Sequence, residues 1–256
     1  MFSLNGNAIL CSQLRTTWAP ADPGRCLVRF SLRPWVFQTM HKYIIMGPQG
    51  SGKGTQAKSL CEDFDLTHMA VGDIFRWNIQ SHTKLAARIK RIMDQGKLVP
   101  DEIVEEIITS RLTEHDWNYG FVIDGFPRNR KQAAFFLESY DVDAVIHLDV
   151  PDEVTRERVL ARRKCSQCGL DYNLMFHRPE VEGVCDVCGG ALAARDDDNE
   201  EALEARLYQY NTKTLPTLEL FERKELVVRV DGAGSLEDVR AAIRKQLKLP
   251  LDPSAR

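Results

Sequence analysis

Residues 47–54 read GPQGSGKG and are followed by Thr55. This is the pattern G-x-x-x-x-G-K-[ST] with one extra glycine before the hydroxyl residue. Gly50, Gly52 and Gly54 let the backbone curl until successive N–H groups face one anion, and the helix that follows adds its positive end. Ser51 lies inside the same turn. Lys53 supplies a mobile point charge for the outer phosphates, and Thr55 offers a hydroxyl to a magnesium ion. The flanks agree with the loop. Residues 42–46 are a short apolar run expected to be a buried strand, and residues 56–63 have helical spacing. Strand, loop and helix together predict a nucleoside triphosphate site rather than a glycine-rich surface turn.

Beyond the loop, the chain alternates short apolar runs (121–124, 144–148, 226–230) with helical segments near 72–94, 101–113, 129–138, 152–163, 198–223 and 235–247. That rhythm predicts an α/β fold of the P-loop NTPase-like kind, a three-layer structure with a parallel sheet covered on both faces. Residues 164–197 interrupt it with cysteine pairs, glycines and little periodicity, and read as an inserted module. The 256 residues are enough for a substantial core. A net charge of -3 gives no reason to expect nucleic acid or an anionic membrane as partner, and no apolar stretch reaches the ~18 residues of a membrane span.

Residues 1–39 differ from the rest. They carry Arg15, Arg25, Arg29 and Arg33 against a single acid, Asp22. A disordered extension, or a start assigned upstream of a working Met40, is the favoured reading, with a cytoplasmic protein as its consequence. An organellar transit peptide is the alternative. Residues 250–256 read as a tail.

Asp124-Gly125-Phe126-Pro127-Arg128 follows a strand directly, where ligands bind in open α/β sheets. Asp124 is placed to hold magnesium through water, and Arg128 to fork onto a phosphate. With Ala70-Val71-Gly72-Asp73-Ile74-Phe75-Arg76, Gln95-Gly96-Lys97-Leu98-Val99-Pro100 and Gln132, the set resembles the adenylate kinase family over Met40 to Leu249, in the family's order and spacing. The resemblance implies reversible, Mg-dependent transfer, ATP + AMP = 2 ADP; a monomer is expected. The resemblance also implies an acceptor-binding segment at 69–99. Arg76 and Arg128 would hold the acceptor phosphate, the backbone from Lys97 through Leu98 to Val99 would enclose its base beside Val71 and Gly125, and Gln132 would read the adenine edge. Arg158 and Arg162 would stack on the ATP base and clamp its phosphates. Arg195 and Arg206 would close over the transferring group and the acceptor.

Physical chemistry supplies a reason for so many arginines. Two nucleotides in line for transfer bring several negative charges together, and Lys53, Mg²⁺ and the guanidiniums offset that repulsion. The acceptor oxygen is already ionised, so no general base is needed, and His68, His115 and His147 read as packing or surface residues. One departure concerns the acceptor. Adenylate kinases commonly carry Thr where this chain has Val71, and a small apolar residue there resembles kinases of UMP or CMP. Gln132 points back to AMP, because an amide pairs two ways with adenine. A P-loop ATPase or nucleotide-binding regulatory protein is the reading from another class.

Cys165-x2-Cys168 and Cys185-x2-Cys188 are separated by sixteen residues, a spacing that closes a tetrahedral Cys₄ zinc site with no open position for catalysis. The zinc is expected to be structural, and the module falls where the family carries a lid over ATP. Between Lys164 and Asp198 there are three basic residues against seven acids, which argues against a nucleic-acid-binding ribbon.

Overall fold

The computed structural model describes residues 41–116, 119–195 and 198–250; the expectations for residues 1–39 and for most of the 250–256 tail lie outside them. Five parallel strands form the main sheet in the order β2-β3-β1-β4-β8: β1 (Lys42–Met46), β2 (Thr67–Ala70), β3 (Phe121–Asp124), β4 (Ala144–Asp149) and β8 (Val227–Asp231). Alternation along the pleat explains why both faces are covered. On β1, Ile44 and Met46 enter one core with Phe121, Ile123, Val145, Phe136 and Ile108. Tyr43 and Ile45 enter the other, with Val122, Ile146, Leu148, Leu60 and Ile243. Burying one such side chain contributes about 1.5–3 kcal/mol, and the buried His147 of β4 is accommodated by its bond to the Tyr210 hydroxyl.

The first core is roofed by α2 (Val71–Gln80), α3 (Ala86–Asp94), α4 (Asp101–Glu114), α5 (Arg130–Ser139) and α8 (Leu218–Glu222), and the second by α1 (Lys53–Phe64) and α9 (Leu236–Gln246). Asp63 fixes α1 to α9. Its carboxylate accepts from Arg240 at 2.6 and 2.8 Å and from Arg244, whose guanidinium lies 5.8 Å over the Phe64 ring.

Three differences from the sequence expectations have physical causes. The edge strand β2, Thr67-His68-Met69-Ala70, is too short and polar to show periodicity and exists because it pairs with β3. Helix α6 (Asp152–Leu160) ends before 163, and Arg162 begins β5 (Arg162–Cys165). With β6 (Asp171–Asn173) and β7 (Leu192–Ala193), β5 forms a separate antiparallel sheet in the order β6-β5-β7, so the inserted cysteine module carries a small sheet of its own. The segment 198–223 is not one helix. Helix α7 (Glu200–Gln209) passes into a π turn, Tyr210–Thr214, a 3₁₀ turn, Leu215–Thr217, and then α8. Pro216, without an N–H, cannot continue the ladder, and side-chain contacts to β4 and to Arg128 favour the wider turn.

Candidate active site and metal centre

The start of helix α1 differs from those of α5, α7 and α9. The helices α5, α7 and α9 are capped by Asn129, Asn199 and Ser235, each accepting from a backbone N–H in the first turn. Helix α1 starts from Gly52 at φ 87 with no side-chain cap and no acid in its first turn. Its first N–H groups are therefore left for an external anion. Gly50 also has positive φ (84), and a Cβ there would sit 2.8 Å from the Thr155 carbonyl oxygen, so only glycine serves at this bend. Ser51 turns its hydroxyl inward beneath Gly47, and its N–H donates to the Pro48 carbonyl at 3.2 Å, closing the loop on itself.

The loop forms one wall of a cleft of about 950 Å³ at the carboxyl ends of the sheet strands. The residues expected at the two nucleotides, including Gly50, Gly54, Thr55, Val71, Arg76, Lys97, Leu98, Gly125, Arg128, Arg158 and Arg195, line this one space. Lys53 donates to the Pro48 carbonyl at 3.1 Å. Burial pulls its pKa down to about 8; Asp124 opposes that shift, and Arg128, Arg162 and Arg206 add to it. Four cations thus converge where phosphates would lie.

Each arginine is held in place. Arg128 Nε donates to the Gly125 carbonyl at 2.8 Å; its own N–H reaches Gln132 Oε1 at 2.8 Å and its carbonyl accepts from Thr214 of the π turn at 2.9 Å. Arg76 grips Asp73 at 2.6 and 3.2 Å. Arg158 donates to the carbonyls of Gly232 and Ala233 at 2.7 and 2.9 Å, with its guanidinium 5.3 Å from the Phe176 ring. Arg162 clasps Asp198 at 2.8 and 2.5 Å. Arg195 reaches Asp171 at 2.7 Å; burial works against its cation, but Asp171, Asp73 and Asp198 together offset it and the pKa rises. Arg206 donates to Gln49 at 3.0 Å and to the Met93 carbonyl at 3.2 Å.

On the acceptor side, Gln132 is fully buried and its amide is engaged with protein, accepting from Arg128 and donating to Asp101 at 2.7 Å. Val71 is buried, and Val99 packs into the same core. Gly96 has φ 66, and a Cβ would lie 2.5 Å from the Ala202 carbonyl oxygen, so glycine alone lets the 95–99 turn approach α7.

For magnesium, the donor set fits a hard cation. The Asp124 Oδ1 atom is buried with no hydrogen-bond partner among the described protein groups, its other oxygen lies 3.1 Å from where a Gly54 Cβ would be, and Thr55 is next in the helix. In the module, the sulfurs of Cys165, Cys168, Cys185 and Cys188 all lie within 4.8 Å of one another. Zn–S bonds of about 2.3 Å in a tetrahedron require sulfurs about 3.8 Å apart, and Cys165–Cys188 and Cys168–Cys185 stand at 3.4 and 3.6 Å. The Tyr172 hydroxyl, 3.5 Å away, holds the Cys185 thiol down to about 6, with the backbone N–H groups of Cys188 and Val187 assisting against burial.

Gln49, Asp198, Asp171, Asp101, Tyr210 and Phe176 were not singled out from the sequence. Gln49 stands inside the loop motif as an unspecified position, and Asp198 is one of the seven acids counted from Lys164 to Asp198. Their partners lie 149 or 157 residues away for Gln49 and 36 for Asp198, so no local spacing marks them.

A phosphate loop and a facing arginine-lined pocket in one cleft, with a cysteine-clustered module beside it, define a phosphotransferase of the nucleoside monophosphate kinase class. The family model for adenylate kinase matches residues 45–226. The adenylate kinase of Clostridium tetani (strain Massachusetts / E88) is 44% identical over 201 residues, covering 77% of this chain and 93% of that protein. That of Carboxydothermus hydrogenoformans is 42% identical over 212 residues (81% and 99%), and that of Methanocella arvoryzae 41% over 213 (80% and 99%). The chain belongs to the adenylate kinase family.

Proposed function

We propose that the chain catalyses reversible phosphoryl transfer, ATP + AMP = 2 ADP. The convergence of Lys53, Arg128, Arg162 and Arg206 on one cleft is the observation that carries this reading, because such a cluster of cations suits the charge that several phosphates bring together. The loop from Gly50 to Thr55 takes the donor phosphates, and Arg158 with Arg162 takes the donor base and its phosphates. Arg76 and Arg128 take the acceptor phosphate, while Val71, Gln132 and the turn at 97–99 surround its base. Arg195 and Arg206 act on the transferring group from the lid side. Magnesium held at Thr55 and Asp124 would neutralise charge on the phosphate oxygens. Residues 164–197, with zinc on the four thiolates, act as a structural lid. No base is assigned. His68, whose pKa burial lowers, stays neutral as a packing residue.

The described cysteines are all free of disulfides, which supports a reducing compartment and our placement in the cytoplasm. Among the described residues no helix is long and apolar enough to cross a membrane. We also propose that the enzyme acts as a monomer, since one chain lines the whole cleft.

Val71 favours a second reading, a pyrimidine monophosphate acceptor. A panel of AMP, UMP, CMP and GMP with ATP and Mg²⁺ decides between them. AMP is expected to give the highest kcat/KM, and a preference for UMP or CMP would replace the acceptor assignment.

A further inference from the structure

Gln49 occupies the third position of the phosphate loop and reaches across the cleft. Its amide N–H donates to Asp198 Oδ1 at 2.8 Å and its carbonyl accepts from Arg206 Nη1 at 3.0 Å. Asp198 is in turn clasped by Arg162 at 2.8 and 2.5 Å and lies 3.9 Å from Arg206; its side chain is 1% exposed. Four elements thus meet at one amide: the phosphate loop, the start of the lid sheet through Arg162, the segment leading out of the lid through Asp198, and α7 through Arg206.

We infer that Gln49 is a positioning residue, a neutral latch that holds Arg206 and the Arg162–Asp198 pair against the phosphate loop before nucleotide arrives. The chemistry selects an amide. Arg206 needs an acceptor and Asp198 needs a donor, and a glutamine side chain presents one of each at the right reach. A carboxylate serves only the arginine, and a leucine serves neither. A cation at position 49 would add to Lys53, Arg128, Arg162 and Arg206, and a carboxylate would face the Asp198 carboxylate. The amide ties the lid arm to the loop without altering that balance. When phosphates enter, Arg162 and Arg206 are already within reach and need only turn, so part of the ordering cost of the closed cleft is met beforehand.

This inference rests on the phosphoryl-transfer reading above, and its test is separable from it. Gln49→Leu and the isosteric Gln49→Glu are compared with the wild type by small-angle X-ray scattering without nucleotide and by steady-state kinetics with ATP and AMP. Both variants are expected to be more expanded than the wild type when free and to converge on it when a bisubstrate dinucleotide is bound. Turnover is expected to fall about ten- to a hundredfold in Gln49→Leu and less in Gln49→Glu, which keeps the Arg206 contact. Melting temperatures close to wild type would show that the fold is intact. Ligand-free scattering identical to wild type in both variants overturns the latch, whatever happens to turnover. Failure of the wild type itself to phosphorylate AMP would instead remove the functional reading and leave the scattering comparison standing.

Discussion

Replacing Lys53 with methionine is expected to stabilise the nucleotide-free protein while abolishing its chemistry. Burial and three guanidiniums pull the ammonium's pKa from 10.5 to about 8. At about 1.4 kcal/mol per pKa unit, the charged form is disfavoured by about 3 kcal/mol. The ammonium borders an open cleft, and solvent screening reduces this to about 1–2 kcal/mol. Methionine has similar volume and no charge, so it removes the cost without opening a cavity. For a domain of this size that raises the melting temperature by about 2–8 °C, while transfer falls about a thousandfold. The pH dependence follows from the sign. The unfolded lysine binds its proton more tightly than the folded one, so the cost is fully present below pH 8 and fades between 8 and 10.5. The gap between the two proteins should therefore narrow as pH rises through 8. Calorimetry across pH 7–10, paired with a coupled turnover assay, measures both halves. A variant that melts below the wild type at pH 7 without nucleotide would refute the electrostatic argument, and near-normal turnover would refute the role.

Other expectations follow from single contacts. Asp63→Asn removes the negative charge that faces Arg240 and the buried Arg244 and weakens the α1–α9 tie, so chemical denaturation should show a loss of about 3 kcal/mol. His147 is buried, its ring Nε2 lies 2.8 Å from the Tyr210 hydroxyl, and burial with Arg229 holds its pKa below 6.5. It must charge on unfolding in acid, so stability should fall as pH drops below about 6.5; urea midpoints at pH 5.5 and 7.5 should differ less in His147→Gln. Cys185→Ser should reduce bound zinc below one per chain and lower the melting temperature, yet retain measurable transfer at low temperature, because the metal holds a module rather than activating water.

What the sequence disclosed and what it concealed divide along physical lines. The phosphate loop was legible because its glycines, lysine and hydroxyl are contiguous and each is demanded by local geometry. The cysteine cluster was legible because thiolates at that spacing have few other uses in a reducing environment. The strands β1, β3 and β4 showed as apolar runs because both their faces are buried. The edge strand β2 stayed hidden, since four residues including Thr67 and His68 carry no pattern. The strands β5, β6 and β7 were hidden because their sheet is short and lies against the cysteine cluster rather than showing apolar alternation. Reading Arg162 as helical and 198–223 as one helix failed because tertiary contacts decided both. Arg162 turns to Asp198, and Tyr210 and Thr214 bond to His147 and Arg128. The Gln49 latch was beyond reach, since an amide in a loop motif says nothing of partners about 150 residues away.

Following the γ-phosphoryl group itself tests the functional account most directly. ATP labelled at the γ position is mixed with the protein, Mg²⁺ and AMP, and the label is traced among ATP, ADP and inorganic phosphate. The expected result is label moving into ADP, two ADP formed for each ATP consumed, and no labelled phosphate when AMP is left out. Steady release of labelled inorganic phosphate at a rate indifferent to AMP would contradict it, because a cleft built to join two nucleotides would then be hydrolysing one.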